Sequence, residues 1–130
     1  MEETVNSKSA MDLVRDAAQH AESLSPQQAK TELVQDDVVL IDIREAEELQ
    51  QGYIPGAIHA PRGMLEFYAD PGLPYYKPEF DKDKRIILYC ASGGRSALAI
   101  QTLAAMGYKN IAHIEGGLKV WREAGLPVVD

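Results

Sequence analysis

The run Val38-Val39-Leu40-Ile41 is wholly apolar and mostly β-branched, with no polar residue at alternate positions. A strand with one wet face would alternate, so this run reads as a strand covered on both faces. Arg85-Ile86-Ile87-Leu88-Tyr89 is a second such strand and Ile111-Ala112-His113-Ile114 a third. Helix-period stretches lie between and around them. Strands alternating with helices predict an α/β domain: a central, mostly parallel sheet with helices on both faces, three layers in all. Ligands in such sheets bind outside the carboxyl ends of the strands. Asp42 and Cys90 both stand at those ends.

The apolar positions Met11, Leu13, Val14, Ala17, Ala18 and Ala21 predict an amphipathic helix over 9–22, after a polar and frayed stretch over 1–8. Ser25-Pro26 is a helix start, a capping serine followed by proline at the first helical position. It predicts a second helix over 27–34. A short helical stretch is expected over 45–50 and a short strand over 57–60. Residues 61–84 hold Pro71, Gly72, Pro74 and Pro78, which rule out a long element. A helical turn is expected over 64–68. The alanine-rich stretch 96–106 predicts a helix ended by Gly107, and 118–124 a last helix stopped by Gly125.

The chain has 130 residues and a formal charge of −7, from 20 acidic against 13 basic residues. That length fits one domain. The acidic balance argues against a nucleic-acid binder, which shows a basic stripe, and against attraction to anionic lipid. No apolar run approaches the ~18 residues of a membrane span. The polar start lacks the basic-then-apolar order of an export signal. With a single free thiol, these features predict a cytoplasmic protein. His20, His59 and His113 show no metal-ligand spacing, and no metal or cofactor is expected.

Cys90 is the only cysteine. It opens Cys90-Ala91-Ser92-Gly93-Gly94-Arg95-Ser96, between a buried strand and a helix. Adjacent glycines let successive amides turn inward as an anion nest, and the helix N-terminus adds partial positive charge. Arg95 adds a permanent cation. A thiol so placed ionises readily, and the thiolate is a nucleophile. It can attack the outer sulfur of a thiosulfate-like donor and keep it as a persulfide. A lone cysteine is otherwise a buried, inert residue; strand, cysteine, double glycine, arginine and helix in this order favour function.

The segment Tyr89-Cys90-Ala91-Ser92-Gly93-Gly94-Arg95-Ser96 resembles the active-site loop of the rhodanese family of sulfurtransferases. Leu40-Ile41-Asp42-Ile43-Arg44-Glu45 resembles that family's first signature, and Gly52-Tyr53-Ile54-Pro55-Gly56-Ala57-Ile58-His59 its glycine–proline–glycine–alanine segment. Gly107-Tyr108, Glu115-Gly116-Gly117, Trp121 and Gly125-Leu126-Pro127-Val128 resemble its C-terminal signature. The resemblance spans about residues 38–129. It implies a rhodanese-like domain over 36–130, with residues 1–35 as a helical extension packed on it. It implies Cys90 as sulfur acceptor and Ala91, Ser92, Gly93, Gly94 and Arg95 as the cradle. The donor would be a small sulfur-containing anion or a persulfide, and the acceptor cyanide or a thiol; a protein sulfur-relay partner stays open, as does the oligomeric state.

Two other readings compete. Cell-cycle phosphatases resemble rhodaneses but carry a Cys-x5-Arg loop; here four residues separate Cys90 from Arg95, a tighter cradle suited to one sulfur atom rather than a phosphate or arsenate. The other is a non-catalytic sulfur-carrier or regulatory module on the same fold; loss of the cysteine would signal a binding or regulatory scaffold, and Cys90 is present. The loop is nearly neutral apart from Arg95, which makes dianionic thiosulfate a surrogate for a persulfide donor. Asp42 and Arg44 support the site either by bracing the loop or as a structural ion pair, the second being favoured. His59 would be a general base only within reach of sulfur. His113 reads as a satisfied core histidine. Tyr108 and Trp121 are expected to pack the last helix. Residues 61–80 are a candidate wall or lid over the Cys90 mouth.

Overall fold

The computed structural model describes residues 7–130; for residues 1–6, the frayed stretch expected from the sequence lies outside the described residues. In chain order the elements are α1 (Ala10–His20), β1 (Ser23–Leu24), α2 (Pro26–Leu33), β2 (Val38–Asp42), α3 (Ala46–Leu49), β3 (Ile58–His59), α4 (Leu65–Tyr68), β4 (Arg85–Tyr89), α5 (Gly94–Ala105), β5 (Ile111–Ile114) and α6 (Gly117–Glu123). The strands form one sheet in the order β1-β5-β4-β2-β3, every neighbouring pair parallel.

The all-apolar strands are explained by two separate cores. Ile86, Leu88 and Cys90 point to one face, where they meet Leu65 and Phe80 and, from α5, Ala99, Ile100 and Leu103. Ile87 and Tyr89 point to the other, against Ala29 of α2 and Leu118 and Trp121 of α6. α1 packs over α5 as an outer layer on the first face. Each buried aliphatic side chain contributes roughly 1.5–3 kcal/mol, so the central strands, covered twice, anchor the domain.

Caps fix the helix starts. Ser9 accepts from the Asp12 amide and Ser25 from the Gln28 amide, each with a reciprocal side-chain bond, and Pro26 takes the first position of α2. α5 and α6 start one or two residues earlier than periodicity predicts, because glycine supplies each cap: Gly93 and Gly116 sit in the left-handed region. β1 has no counterpart in the sequence reading. Two residues carry no periodic signal, and Ser25-Pro26 beside them announces a helix. Its pairing is nevertheless explicit: the His113 N–H donates to the Glu22 carbonyl at 3.0 Å and the Glu115 N–H to the Leu24 carbonyl at 2.9 Å.

Residues 61–80 are tied to the first core. Leu65, Ala69 and Phe80 are buried in it, and the Tyr108 hydroxyl donates to the Ala69 carbonyl at 2.6 Å. Tyr108 thus holds this segment rather than the last helix. Trp121 does pack α6, its Nε1–H donating to the Pro127 carbonyl at 2.8 Å.

Candidate active site

β2 and β4 run level, Asp42 opposite Tyr89, so Asp42 and Cys90 emerge at the same edge of the sheet. Beyond Tyr89 the chain turns through Ala91, Ser92 and Gly93 into α5. Gly93 has φ +102°, and a Cβ there would stand 3.1 Å from the Gly116 nitrogen. Only glycine fits a left-handed position so close to another backbone. Gly117 is more confined: at φ +62°, its Cβ would lie 2.4 Å from the Cys90 carbonyl oxygen. That approach lets the Leu118 N–H donate to the Cys90 carbonyl at 2.9 Å and the Lys119 N–H to the Ala91 carbonyl at 3.0 Å. The first amides of α6 therefore clamp the start of the loop.

The Cys90 side chain is buried, 1% exposed. Its sulfur accepts from the Gly93 N–H at 3.1 Å and from the Ser96 N–H at 3.4 Å. Both amides belong to the N-cap and first turn of α5, so the helix start converges on the sulfur. Gly93 is buried, Ala91, Gly94 and Arg95 are half-buried, and Ser92 is exposed. Ser96, one residue past the expected cradle, is fully buried and lies beside the sulfur, its Oγ 3.6 Å from Sγ.

Arg95, the last residue of the expected cradle, is paired with Glu48. Its Nη1 and Nη2 donate to the two carboxylate oxygens of Glu48 at 2.7 and 2.9 Å. The guanidinium pulls the Glu48 carboxyl down to about 2. Glu48 also accepts from the Glu45 N–H at 2.8 Å, closing the start of α3.

Asp42 and Arg44 form a buried pair. Arg44 Nη2 meets Asp42 Oδ2 at 2.8 Å and its Nε meets Oδ1 at 3.1 Å. The same guanidinium donates to the Gly52 carbonyl at 2.7 Å and the Glu48 carbonyl at 3.2 Å. The pair ties the end of β2 to α3, and α3 presents Glu48 to Arg95, so its reach to the Cys90 loop is indirect. Tyr89 completes this floor. Its ring lies under the Arg44 guanidinium at 5.7 Å, and its hydroxyl accepts from the Ile54 N–H at 3.0 Å.

The histidines divide. His59 Nε2–H donates to the Arg44 carbonyl at 2.7 Å, a structural bond rather than one to sulfur. His113 is buried, with both ring nitrogens engaged by Ser96 and Ser23. Ser96, Glu48 and Ser23 escape a sequence reading because their partners lie on other elements. The adjacency of Ser96 to the glycine loop is the one local signal among them. Two depressions flank the loop. One, of ≈ 310 Å³, reaches Ala91 from Arg44, Glu48 and Lys119. The other, of ≈ 240 Å³, reaches Ser92 and Gly93 from the α1 side. No residue of 61–80 lines either.

A family model for the rhodanese-like domain matches residues 25–124. The chain belongs to the rhodanese-like family. Among its relatives is a sulfurtransferase of Allochromatium vinosum, 38% identical over 109 residues, which are 84% of this chain and 91% of that one. A solved Rhodopseudomonas palustris structure, described as a protein of unknown function and possible tyrosine phosphatase, is 42% identical with TM-score 0.88 over 99% of both chains. The polysulfide-sulfur transferase homodimer of Wolinella succinogenes is 35% identical with TM-score 0.73, over 92% of this chain and 85% of that one. The sulfurtransferase and the polysulfide-sulfur transferase among them support sulfur transfer in general. Among the described residues, no helix is long and apolar enough to cross a membrane.

Proposed function

We propose that this protein is a sulfurtransferase in which Cys90 takes up sulfane sulfur as a persulfide and hands it to an external thiophilic acceptor. The observation that carries this reading is the seat of the Cys90 sulfur, with the Gly93 and Ser96 amides aimed at it from the start of α5. The Cys90 thiolate attacks the donor's outer sulfur; the new S–S bond forms as the donor's own bond to that sulfur breaks, releasing a thiolate or sulfite. A thiol or cyanide then attacks the outer sulfur and frees the Cys90 thiolate. No net redox change occurs. Because Cys90 is the only cysteine, discharge needs an acceptor from outside the chain.

Arg95 bears on the donor. With its guanidinium held by Glu48, the loop offers backbone amides and no unpaired cation of its own. This favours a persulfide of lower charge over dianionic thiosulfate. The test is intact mass after incubation with thiosulfate or an alkyl persulfide. A gain of one sulfur, about 32 Da, removed by cyanide and absent in Cys90→Ser, is expected, with the persulfide the faster donor. A second reading, phosphate-ester hydrolysis, draws on the description of the Rhodopseudomonas palustris structure. Hydrolysis of an aryl phosphate with no mass gain from any sulfur donor would favour it.

A further inference from the structure

A buried thiol must lose its proton before it can attack, and Cys90 has almost no contact with solvent. Behind its sulfur, side chains from three elements stand in line. Ser96 Oγ of α5 is 3.6 Å from Sγ; His113 Nδ1 of β5 is 2.8 Å from Ser96 Oγ; Ser23 Oγ of β1 is 3.1 Å from His113 Nε2. The sheet register places them so, Ser23 beside His113 and His113 beside Leu88, two residues before Cys90. Ser23 is exposed. Together with His113 it borders the ≈ 240 Å³ depression whose far wall is Met11 and Val14 of α1.

We propose that Ser96, His113 and Ser23 form a hydrogen-bonded relay from the Cys90 thiol to the α1-side depression that stabilises the thiolate, with His113 as a positioning residue that lets the Ser96 hydroxyl serve both states of the sulfur. The proposal rests on the reading of Cys90 as the sulfur acceptor. In the thiol state S–H donates to Ser96 Oγ, Ser96 O–H to His113 Nδ1, and His113 Nε2–H to Ser23 Oγ. On ionisation the S–H bond breaks as an O–H bond forms on Ser96. The proton Ser96 held passes to Nδ1, and Nε2 releases its own through Ser23 to solvent. The Ser96 hydroxyl then donates to the thiolate, Nδ1–H donates to Ser96 Oγ, and Nε2 accepts from the Ser23 hydroxyl. Imidazole suits this task because either nitrogen can carry the proton.

The surroundings keep His113 neutral. Burial pushes its pKa below the ordinary 6.5, and Glu115, on its own strand, pulls weakly the other way. Just before β1, Glu22 has its carboxylate bound to Arg85 at 2.8 Å. α1 presents Met11, Val14 and Ala18 to the depression, and Ala97 of α5 also borders it. The Arg95 guanidinium is held by Glu48. A histidine serving only to fill the core would satisfy its ring and leave the titration of Cys90 untouched.

The experiment titrates Cys90 in the full chain by the ultraviolet absorbance of the thiolate, corrected with Cys90→Ser, alongside the pH profile of alkylation by iodoacetamide. No sulfur donor is present, so the outcome is independent of the proposed transfer. Ser96→Ala and His113→Gln are expected to raise the midpoint by about one pH unit. Ser23→Ala is expected to raise it by less. An unchanged midpoint in a folded His113→Gln overturns the relay. Should that variant not fold, Ser23→Ala at the exposed end decides, and an unchanged midpoint there overturns it. Raised midpoints in a protein that takes up no sulfur would uphold the relay and sink the sulfur-acceptor reading instead.

Discussion

Replacing Glu48 with glutamine separates the charge of the Arg95–Glu48 pair from its shape. Glutamine keeps one oxygen, which can accept from the Glu45 N–H and Arg95 Nη1 as Oε1 does, but removes the negative charge and the second acceptor for Nη2. The pair holds the Glu48 carboxyl at about 2 against an ordinary 4.5, which at about 1.36 kcal/mol per tenfold sets a ceiling of about 3 kcal/mol. Both side chains are about a third exposed, 37% and 31%, so solvent screening reduces this to about 1–2 kcal/mol. At ~2.1 cal/mol/K per residue that is a loss of about 4–7 °C in melting temperature. The sign follows from the lowered pKa. The stabilisation is fully present above the unfolded carboxyl's 4.5 and is lost as pH falls through the folded value near 2. Melts of wild type and Glu48→Gln should differ near pH 7, draw together below pH 4.5 and converge only near pH 2. The variant should also accept thiosulfate with a lower KM, because its loop then carries a cation no longer neutralised. Equal melts at neutral pH, or a gap undiminished in acid, would refute the electrostatic account; an unchanged thiosulfate KM would refute the link to donor choice.

Gly117→Ala should cost more than about 2 kcal/mol by thermal melt, since its Cβ would meet the Cys90 carbonyl at 2.4 Å in a left-handed backbone. Arg44→Met leaves Asp42 charged and buried without its partner, and chemical denaturation should show a loss of about 3–5 kcal/mol. Tyr89→Phe orphans the buried Ile54 N–H at a cost of about 1–3 kcal/mol, with the sulfur-loading mass gain retained. Because burial lowers the pKa of His113, the unfolded chain binds its proton first; stability should fall as pH drops below about 6.5, and His113→Gln should flatten that slope in pH-dependent melts.

What the sequence reveals here is what is local. The strand 85–89, the glycine pair and the helix after it lie within about twenty residues, so the loop around Cys90 is readable from order alone. The capping serines and Pro26 are local as well. The features that escape depend on strand register. Glu48 is 47 positions from Arg95, and Ser23 is 90 from His113; neither pairing leaves a trace in periodicity. His113 is recognisable as a core histidine, but its two serine partners appear only once β1 is laid against β5. For His59 the possibility of a catalytic base ends at the Arg44 carbonyl that it binds. The segment 61–80 is irregular for the reason its prolines suggest, and its anchor, Tyr108, comes from beyond β4.

β1 is only two residues long, yet it covers the outer hydrogen-bonding edge of β5. The family match begins at residue 25, just after it. A chain shortened to that boundary would leave the Glu22 and Leu24 carbonyls missing and the His113 and Glu115 amides facing outward. A bare strand edge of that kind is a template for pairing with another molecule, and shortened versions should self-associate through β5. The small strand before the matched region thus acts as a guard for the sheet.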